Sequence, residues 1–334
     1  MVAASPSEEI LEPDLAICDP HHHLWDFPGS RYLLPELLAD LQSGHNVKST
    51  VFVECTSFYR ASGPEELRMV GETEFVNGVA AMAASGRYGP VLACEGIVAR
   101  ADLTMGAAVG PVLDSHIRAG NDRFRGIRHA GGWDASPDVR NSHTDPPRHL
   151  YADASFRAGL RELAKRDLTF EAWQYHPQLP DVTALARSVP EAKIVLNHVG
   201  GPLGIGPYAG RRDEIFQSWS RDIRELAHCP NVWVKLGGLG MAICGFDFHK
   251  REVLPDSREL ATAWRPYLEH CIEAFGPKRG MFESNFPVDG VSCSYAALWN
   301  AFKRVTQGAS EDEKALMYRD AARSFYRLDA SHAT

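Results

Sequence analysis

The residues best suited to chemistry form one run near the start of the chain, Asp19-Pro20-His21-His22-His23. Residues two apart on an extended strand point the same way, so His21 and His23 should project together while His22 points elsewhere. Two imidazoles converging from one strand can hold a divalent metal ion or orient a carbonyl oxygen. The run follows an apolar stretch and precedes an aromatic residue, which favours a functional site over a polar loop.

A second group follows a short apolar run at 193–196, where Asn197-His198 leads into a Gly-Gly-Pro turn. Glycines at such a turn let the backbone approach a ligand closely. His198 is therefore a candidate third metal ligand, or an electrophile that polarises a carbonyl. The alternative is a core histidine whose hydrogen bonds are satisfied within the protein.

Several residues after other apolar runs could bind a substrate. Arg128 could clamp a carboxylate with two hydrogen bonds, and His129 could donate a hydrogen bond or accept a proton. Lys235 could face an anionic substrate, and further candidates for substrate contact are His176, Gln178 and Trp25. Arg128 and Lys235 have a structural alternative, an ion pair inside the protein, for which Glu54 is a candidate partner of either. Glu171, within the fifth strand, is interpreted as a barrel-layer carboxylate paired to a neighbour.

Acid–base chemistry has its own candidates. Glu54 follows the second apolar run, and the eighth is followed within a few residues by Glu283, Asn285 and Asp289. We consider His198, Glu54, Asn285 and Asp289 as catalytic residues. Glu54 could equally be a partner in an interior ion pair.

The elements that must position these residues are short apolar runs alternating with amphipathic segments. The runs are 15–18, 49–53, 91–98, 124–128, 168–173, 193–196, 231–236 and 280–282. Eight strands alternating with helices predict a (β/α)8 TIM barrel of class α/β, whose functional groups gather at the carboxyl ends of the strands. A doubly wound open sheet is the rival, but it usually carries a glycine-rich phosphate turn after an early strand, which is missing here.

The predicted barrel occupies residues 1–334 as one domain, with 1–14 as a flexible N-terminal segment. Two long connections, 130–150 and 200–212, should shape the site. Amphipathic segments at 294–303 and 311–326 predict helices that complete the outer ring, the last of them an extra C-terminal helix.

Composition narrows the function classes. The formal net charge of -8 makes a nucleic-acid surface unfavourable. The acidic start differs from a signal peptide, and no stretch approaches the roughly 18 apolar residues of a membrane span. Seven scattered cysteines without a C-x-x-C pair indicate a reducing cytoplasm. The expected partner is a small carboxylate-bearing molecule, with no nucleic acid or membrane, and a homodimer is one expected assembly.

With these residues in view, the chain resembles the amidohydrolase superfamily, specifically the amidohydrolase-2 type of metal-dependent hydrolase with a TIM-barrel fold. The shared landmarks are D-x-H-x-H, Gly-Ile-Arg-His, Gln178-Leu, Leu-Asn-His-x-Gly-Gly-Pro and Val-Lys-Leu-x-Gly-Leu. The resemblance implies that His21 and His23 are the metal pair of the first strand and that His198 is the histidine of the sixth. It also points to the lactonase-like branch, with decarboxylases as relatives.

One position departs from the family pattern. The eighth strand of the family usually ends in Gly-Ser-Asp-Trp-Pro, whose aspartate binds metal and acts as general base, whereas this chain reads Glu-Ser-Asn-Phe-Pro. The amide of Asn285 cannot take a proton from water near neutral pH and binds a divalent cation more weakly than a carboxylate. Either Glu283 or Asp289 supplies the charge, or the reaction proceeds without that base.

The resulting hypothesis is a hydrolase that opens a lactone-like cyclic ester, or a related C–O or C–N bond, of a small anionic substrate. One divalent metal ion, zinc first among them, would assist the histidines, and a metal-independent reaction is the alternative. A metal-dependent decarboxylase or lyase of the same superfamily is the second hypothesis. A barrel that has lost catalysis and only binds a partner is the third.

Overall fold

Valine, isoleucine or phenylalanine occurs in each of the eight barrel strands, and most strand residues are buried on both faces, as in a parallel sheet covered by helices. The computed structural model describes residues 6–328. Eight strands pair in parallel, each with the next along the chain. They are β1 (Ala16–His22), β4 (Asn46–Val53), β5 (Leu92–Ala99), β6 (Phe124–Arg128), β7 (Thr169–Ala172), β8 (Lys193–Leu196), β9 (Val232–Leu236) and β10 (Gly280–Phe282). A two-stranded antiparallel sheet follows β1, formed by β2 (Trp25–Phe27) and β3 (Ser30–Tyr32).

The first and last strands close the ring through backbone contacts just after β10. The amide of Asn285 donates to the carbonyl of His21 over 2.9 Å, and the amide of His23 donates to the carbonyl of Phe286 over 2.8 Å. The predicted (β/α)8 barrel is therefore confirmed. Strand β1 is longer than the predicted run, so His21 and His22 belong to the strand itself.

Helices surround the strands, and four of those in the described residues begin at a side chain that caps the first turn. Asp153, Asp256, Ser294 and Ser310 each accept a hydrogen bond from a first-turn amide, which satisfies donors that have no partner inside the helix. The helices are α1 (Leu34–Leu41), α2 (Glu65–Arg68), α3 (Val70–Ala84), α4 (Gly110–Gly120), α5 (Ala154–Lys165), α6 (Leu179–Ser188), α7 (Arg212–Ala227), α8 (Ser257–Phe275), α9 (Tyr295–Val305), α10 (Glu311–Ala315) and α11 (Ala321–Tyr326).

The C-terminal helix has a different place from the predicted one. Phe325 and Tyr326 of α11 pack against strand residues that include Cys18, Val51 and Met281. The helix therefore covers one end of the barrel instead of extending the outer ring. An amphipathic pattern identifies an apolar face but not the surface that covers it, which is why the location was missed.

Part of the N-terminal segment is attached to the helical ring. Residues 1–5 of the predicted flexible stretch lie outside the described residues. Beyond them, Glu8 accepts a hydrogen bond from the amide of Ser257 over 2.7 Å. Lys303 donates to the carbonyls of Leu11 and Glu12 over 2.7 and 2.9 Å. Among the described helices, none has the length and apolar composition needed to cross a bilayer.

Candidate active site

Three side chains that lie far apart in the sequence meet at the carboxyl end of the barrel. His21 lies in β1, His198 follows β8 and Glu283 follows β10, and their candidate ligand atoms all lie within 4.8 Å of one another. Nδ1 of His21 is 2.7 Å from one oxygen of Glu283, and Nδ1 of His198 is 2.7 Å from the other. All three residues are buried. Two imidazoles and one carboxylate thus converge on one point.

Two glycines after β9 make this convergence sterically feasible. A Cβ on residue 237 would lie 2.6 Å from Cγ of Glu283, and one on residue 238 would lie 2.4 Å from Cβ of His198. Real Cβ atoms do not approach so closely, and Gly238 has a φ of +71°, which also favours glycine. The Gly-Gly pair after Lys235 therefore leaves room for the cluster.

The other two histidines of the run, His22 and His23, make contacts outside the cluster. Nδ1 of His23 donates to the carbonyl of Val53 over 2.8 Å, which leaves Nε2 as the acceptor, and its ring centroid is 5.0 Å from that of His21. His23 nevertheless lies outside the three-residue cluster, so its metal role remains a prediction. His22 contacts Thr50 over 2.8 Å through Nε2 and points away, as the alternation predicts.

Two buried cations adjoin the cluster, and each has its own carboxylate. Nε of Arg128 donates to Glu54 over 2.7 Å, and Nη1 of Arg128 lies 3.3 Å from Nε2 of His21. Nζ of Lys235 contacts the two oxygens of Glu171 at 2.7 and 2.9 Å and lies 3.2 Å from Nδ1 of His21. The interior ion pairs that the sequence allowed are thus formed. Substrate contacts by Arg128 and Lys235 remain predictions.

The Lys235–Glu171 pair is enclosed on every side. Lys235 also donates to the carbonyl of Pro20 over 2.9 Å. Glu171 accepts from the side-chain amide Nδ2 of Asn197 over 2.6 Å and from the hydroxyl of Tyr326. Both charged side chains are fully buried. Such a pair holds strands β7 and β9 together and places a satisfied cation beside His21.

At the end of β10, Glu283 alone of the three candidates reaches the histidines among the described residues. Asn285 instead donates to Asp289 over 2.8 Å, and the amide of Gly240 donates to the other oxygen of Asp289 over 2.8 Å. Burial raises the pKa of Asp289 to about 8. The side chains of Asn285 and Asp289 are thus hydrogen-bonded to each other. A catalytic role for either residue remains a prediction.

Burial sets the protonation of the cluster. It lowers the pKa of His21 and His198 well below the usual range, and the nearby charges of Lys235 and Arg128 lower both further. These imidazoles are therefore neutral at neutral pH, the form that can bind a metal ion. Burial also raises the pKa of Glu283 to about 8, although Lys235 partly opposes this.

The remaining predicted residues fix the loops around the site. His129 and His176 each accept a backbone hydrogen bond of 3.2 Å at Nδ1, from Leu103 and Leu203 respectively. Gln178 donates to the carbonyl of Gly131 over 2.6 Å and accepts from the amide of Trp133. Trp25 stacks on His23 with centroids 5.9 Å apart. Their contacts with a substrate remain predictions.

One residue near the site was missed from the sequence. His143, in the long connection after β6, places Nε2 3.1 Å from the free oxygen of Glu54. Burial would raise the pKa of Glu54, but His143 and Arg128 outweigh it and hold the pKa below its usual range. Nothing in the composition of a long loop shows which of its residues turns back to the site, so no sequence signal identified His143.

The turn after Glu54 supplies a pH-dependent prediction. Glu72 of α3 accepts hydrogen bonds from the amides of Cys55 and Ser57 at 3.1 and 2.8 Å. Burial, together with the charge of Glu54, raises the pKa of Glu72 from 4.5 to about 8. The folded protein therefore keeps a proton that the unfolded chain releases. The resulting stabilisation is complete below pH 4.5 and is lost as the pH rises through about 8.

Replacing Glu72 with glutamine should remove this component. The difference in the free energy of unfolding, Glu72→Gln minus wild type, should rise with pH between pH 4.5 and about 8. The slope should reach up to about 1.4 kcal/mol per pH unit. Urea unfolding at a series of pH values measures it. Parallel pH dependences for the two proteins would contradict the assignment.

Comparison with known proteins assigns the family. Residues 18–328 match the family model described as amidohydrolase. The chain is 33% identical to the uncharacterized protein y4mH of Sinorhizobium fredii, over 94% of this chain and 99% of that protein. It is 30% identical to an L-fucono-1,5-lactonase of Burkholderia multivorans, over 62% of this chain and 64% of that enzyme.

A solved structure supports the same fold. An amidohydrolase from Burkholderia multivorans, crystallised with bound zinc, superposes with a TM-score of 0.70 at 23% identity, covering 94% of this chain and 100% of the other. Together with the family match over nearly the whole barrel, the convergence of His21, His198 and Glu283 at its carboxyl end identifies the chain as an enzyme of the amidohydrolase family.

Proposed function

We propose that this amidohydrolase opens a lactone ring in a small molecule that carries a carboxylate. The observation that carries the proposal is the buried cluster of His21, His198 and Glu283 with the Arg128 guanidinium at 3.3 Å from His21. The similarity to an L-fucono-1,5-lactonase supports a cyclic ester as substrate.

The cluster fits one divalent cation. Arg128 and Lys235 are each matched by a carboxylate, Glu54 and Glu171, whereas no lysine or arginine of the described residues forms an ion pair with Glu283. The Glu283 oxygen that lies 2.7 Å from Nδ1 of His21 is buried, and among the described residues no donor is oriented to make a hydrogen bond to it. Two histidines and one glutamate are a common zinc ligand set in hydrolases, so we infer that His21, His198 and Glu283 hold zinc. When bound, zinc would lower the pKa of a water molecule and polarise the ester carbonyl.

The protein's own groups support ester hydrolysis. Water adds its oxygen to the carbonyl carbon, the ring C–O bond breaks, and the ring oxygen takes a proton to become a hydroxyl. The second proton of the water is released to solvent, so the product acid is a carboxylate. The Arg128 guanidinium is a fixed cationic donor beside the cluster, suited to the oxyanion that forms on the carbonyl oxygen.

Arg128 is also the cation placed to meet a substrate carboxylate. Its side chain is 6% exposed, whereas that of Lys235 is fully enclosed. Lys235 would then act on the substrate only through its positive charge beside His21. We therefore assign to Arg128, and not to Lys235, direct contact with the negative charge of the substrate, whether on its carboxylate or on the developing oxyanion.

A lactone panel with product analysis in ¹⁸O-labelled water tests the function. We expect hydroxy acids that contain one solvent oxygen, with activity lost in chelator and restored by zinc. Carbon dioxide release without uptake of solvent oxygen would instead establish the decarboxylase alternative. Chelator-resistant turnover by metal-free protein would refute the zinc assignment while leaving lactone hydrolysis intact.

A further inference from the structure

The loop that follows β6 returns to the site through a fixed turn. The amide of Ser142 donates to the carbonyl of Gly132 over 2.8 Å, and the hydroxyl of Thr144 donates to the carbonyl of Ala130 over 2.5 Å. Both neighbours of His143 are thus anchored to the start of the same loop. The imidazole of His143 therefore projects from a turn that these two hydrogen bonds hold in place.

The anchored imidazole is oriented by a carboxylate. Nε2 of His143 donates to Glu54, whose other oxygen is held by Arg128. Because Glu54 is buried and its pKa is held low, it remains an ionised acceptor. The hydrogen bond keeps a proton on Nε2 of His143 and leaves Nδ1 to exchange protons. A carboxylate that orients an imidazole in this way is the arrangement of histidine acid–base catalysts.

His143 is also more accessible than the other histidines of the site. Its side chain is 27% exposed, whereas His21, His198 and His129 are 0%, 3% and 6% exposed as residues. Burial depresses the pKa of those three. A proton taken from solvent can therefore enter the site through His143 without charging a buried imidazole.

We propose that His143 is a catalytic residue, the general acid that protonates the ring oxygen as the lactone opens. This role rests on the proposed function. The imidazolium gives its Nδ1 proton to the departing oxygen as the C–O bond breaks, while Glu54 keeps the proton on Nε2. The neutral imidazole then takes a proton from solvent, which receives the two protons of the consumed water. In balance, one proton remains on the new hydroxyl and one stays in solution with the carboxylate.

Two six-membered lactones that each carry a carboxylate and differ in leaving group test the role: a ring-carboxylated δ-valerolactone and a ring-carboxylated dihydrocoumarin, named below by their parent lactones. δ-Valerolactone releases a basic alkoxide, which needs a proton, whereas dihydrocoumarin releases a phenolate, which needs much less help. His143→Gln keeps a donor for Glu54 but cannot transfer a proton. We expect it to lower kcat on δ-valerolactone by roughly 10²- to 10³-fold and on dihydrocoumarin by less than about tenfold. Imidazole added to His143→Ala should restore part of the loss on δ-valerolactone.

A matched control lies in the same loop. His149 contacts Asp181 over 2.8 Å but is 55% exposed, and His149→Gln should change kcat on either lactone by no more than about twofold. An equal loss on both lactones in His143→Gln, or no loss, would overturn the role of His143 while wild-type turnover upholds the proposed function. If the wild-type protein hydrolysed neither lactone and none of the wider panel, both the proposed function and the role of His143 would be overturned.

Discussion

Substituting Glu283 by glutamine is expected to lower zinc affinity by at least about 100-fold. Removing a residue that only hydrogen-bonds to a metal ligand typically lowers metal affinity by about 10- to 100-fold, and removing a ligand itself should cost at least as much. Lactone hydrolysis should fall by a factor on the order of 10² to 10³. Glutamine keeps the size of the side chain that fits against Gly237, so folding should be preserved. Competition with a chromophoric chelator measures the affinity, and elemental analysis measures the stoichiometry.

Two further variants separate Glu283 from its neighbours. Glu54→Gln removes a buried acid of the same site that contacts Arg128 and not the cluster, so zinc affinity should stay within about threefold of wild type. Asn285→Asp combined with Glu283→Gln should not restore binding. The new carboxylate would face Asp289, which already lies 2.8 Å from the Asn285 amide, and like charges at that distance cannot both ionise. Full affinity in Glu283→Gln would refute the assignment.

The second large effect concerns stability. Lys235→Met should lower the free energy of unfolding by about 3–5 kcal/mol, because Glu171 would keep a buried charge without its cation. Both partners are fully enclosed and separated by 2.7 Å. Adding Glu171→Gln to Lys235→Met should recover much of the loss, since no unpaired charge then remains. Urea unfolding monitored by circular dichroism measures all three proteins.

The barrel provides a control with the same contact distance. Lys193 and Asp167 also lie 2.7 Å apart, but their side chains are 42% and 61% exposed. Lys193→Met should cost less than about 1 kcal/mol, because water screens an exposed pair. If Lys235→Met were as mild as Lys193→Met, the buried pair would not support the barrel.

The fold was predictable because its signal is repeated along the chain. Each strand contains a short apolar run, and reading the residues at the carboxyl end of each run located His21, His198 and Arg128 at one end of the barrel. The place of α11 was not predictable. Its apolar face could have covered either the outer ring or the end of the barrel, and only the packing of Tyr326 into the interior decides.

The pairing of groups within the site was harder to predict than their location. Glu54 could have paired with Arg128 or Lys235 and the partner of Glu171 was open, whereas the structure pairs Glu54 with Arg128 and Glu171 with Lys235. At the end of β10, the choice of Glu283 over Asp289 depends on the space left by Gly237, which no local pattern reveals. His143 depends on the path of a long loop.

The closure of the barrel gives the site a second consequence. Strands β1 and β10 are joined where the catalytic groups lie, and the amide of Ser284 also donates to Asp19 across a separation of 265 residues in the chain. A ligand bound by both His21 and Glu283 would therefore connect the first strand of the barrel to the last. Ligand binding would therefore also stabilise the closed barrel, and its effect should be largest against separation of β1 from β10.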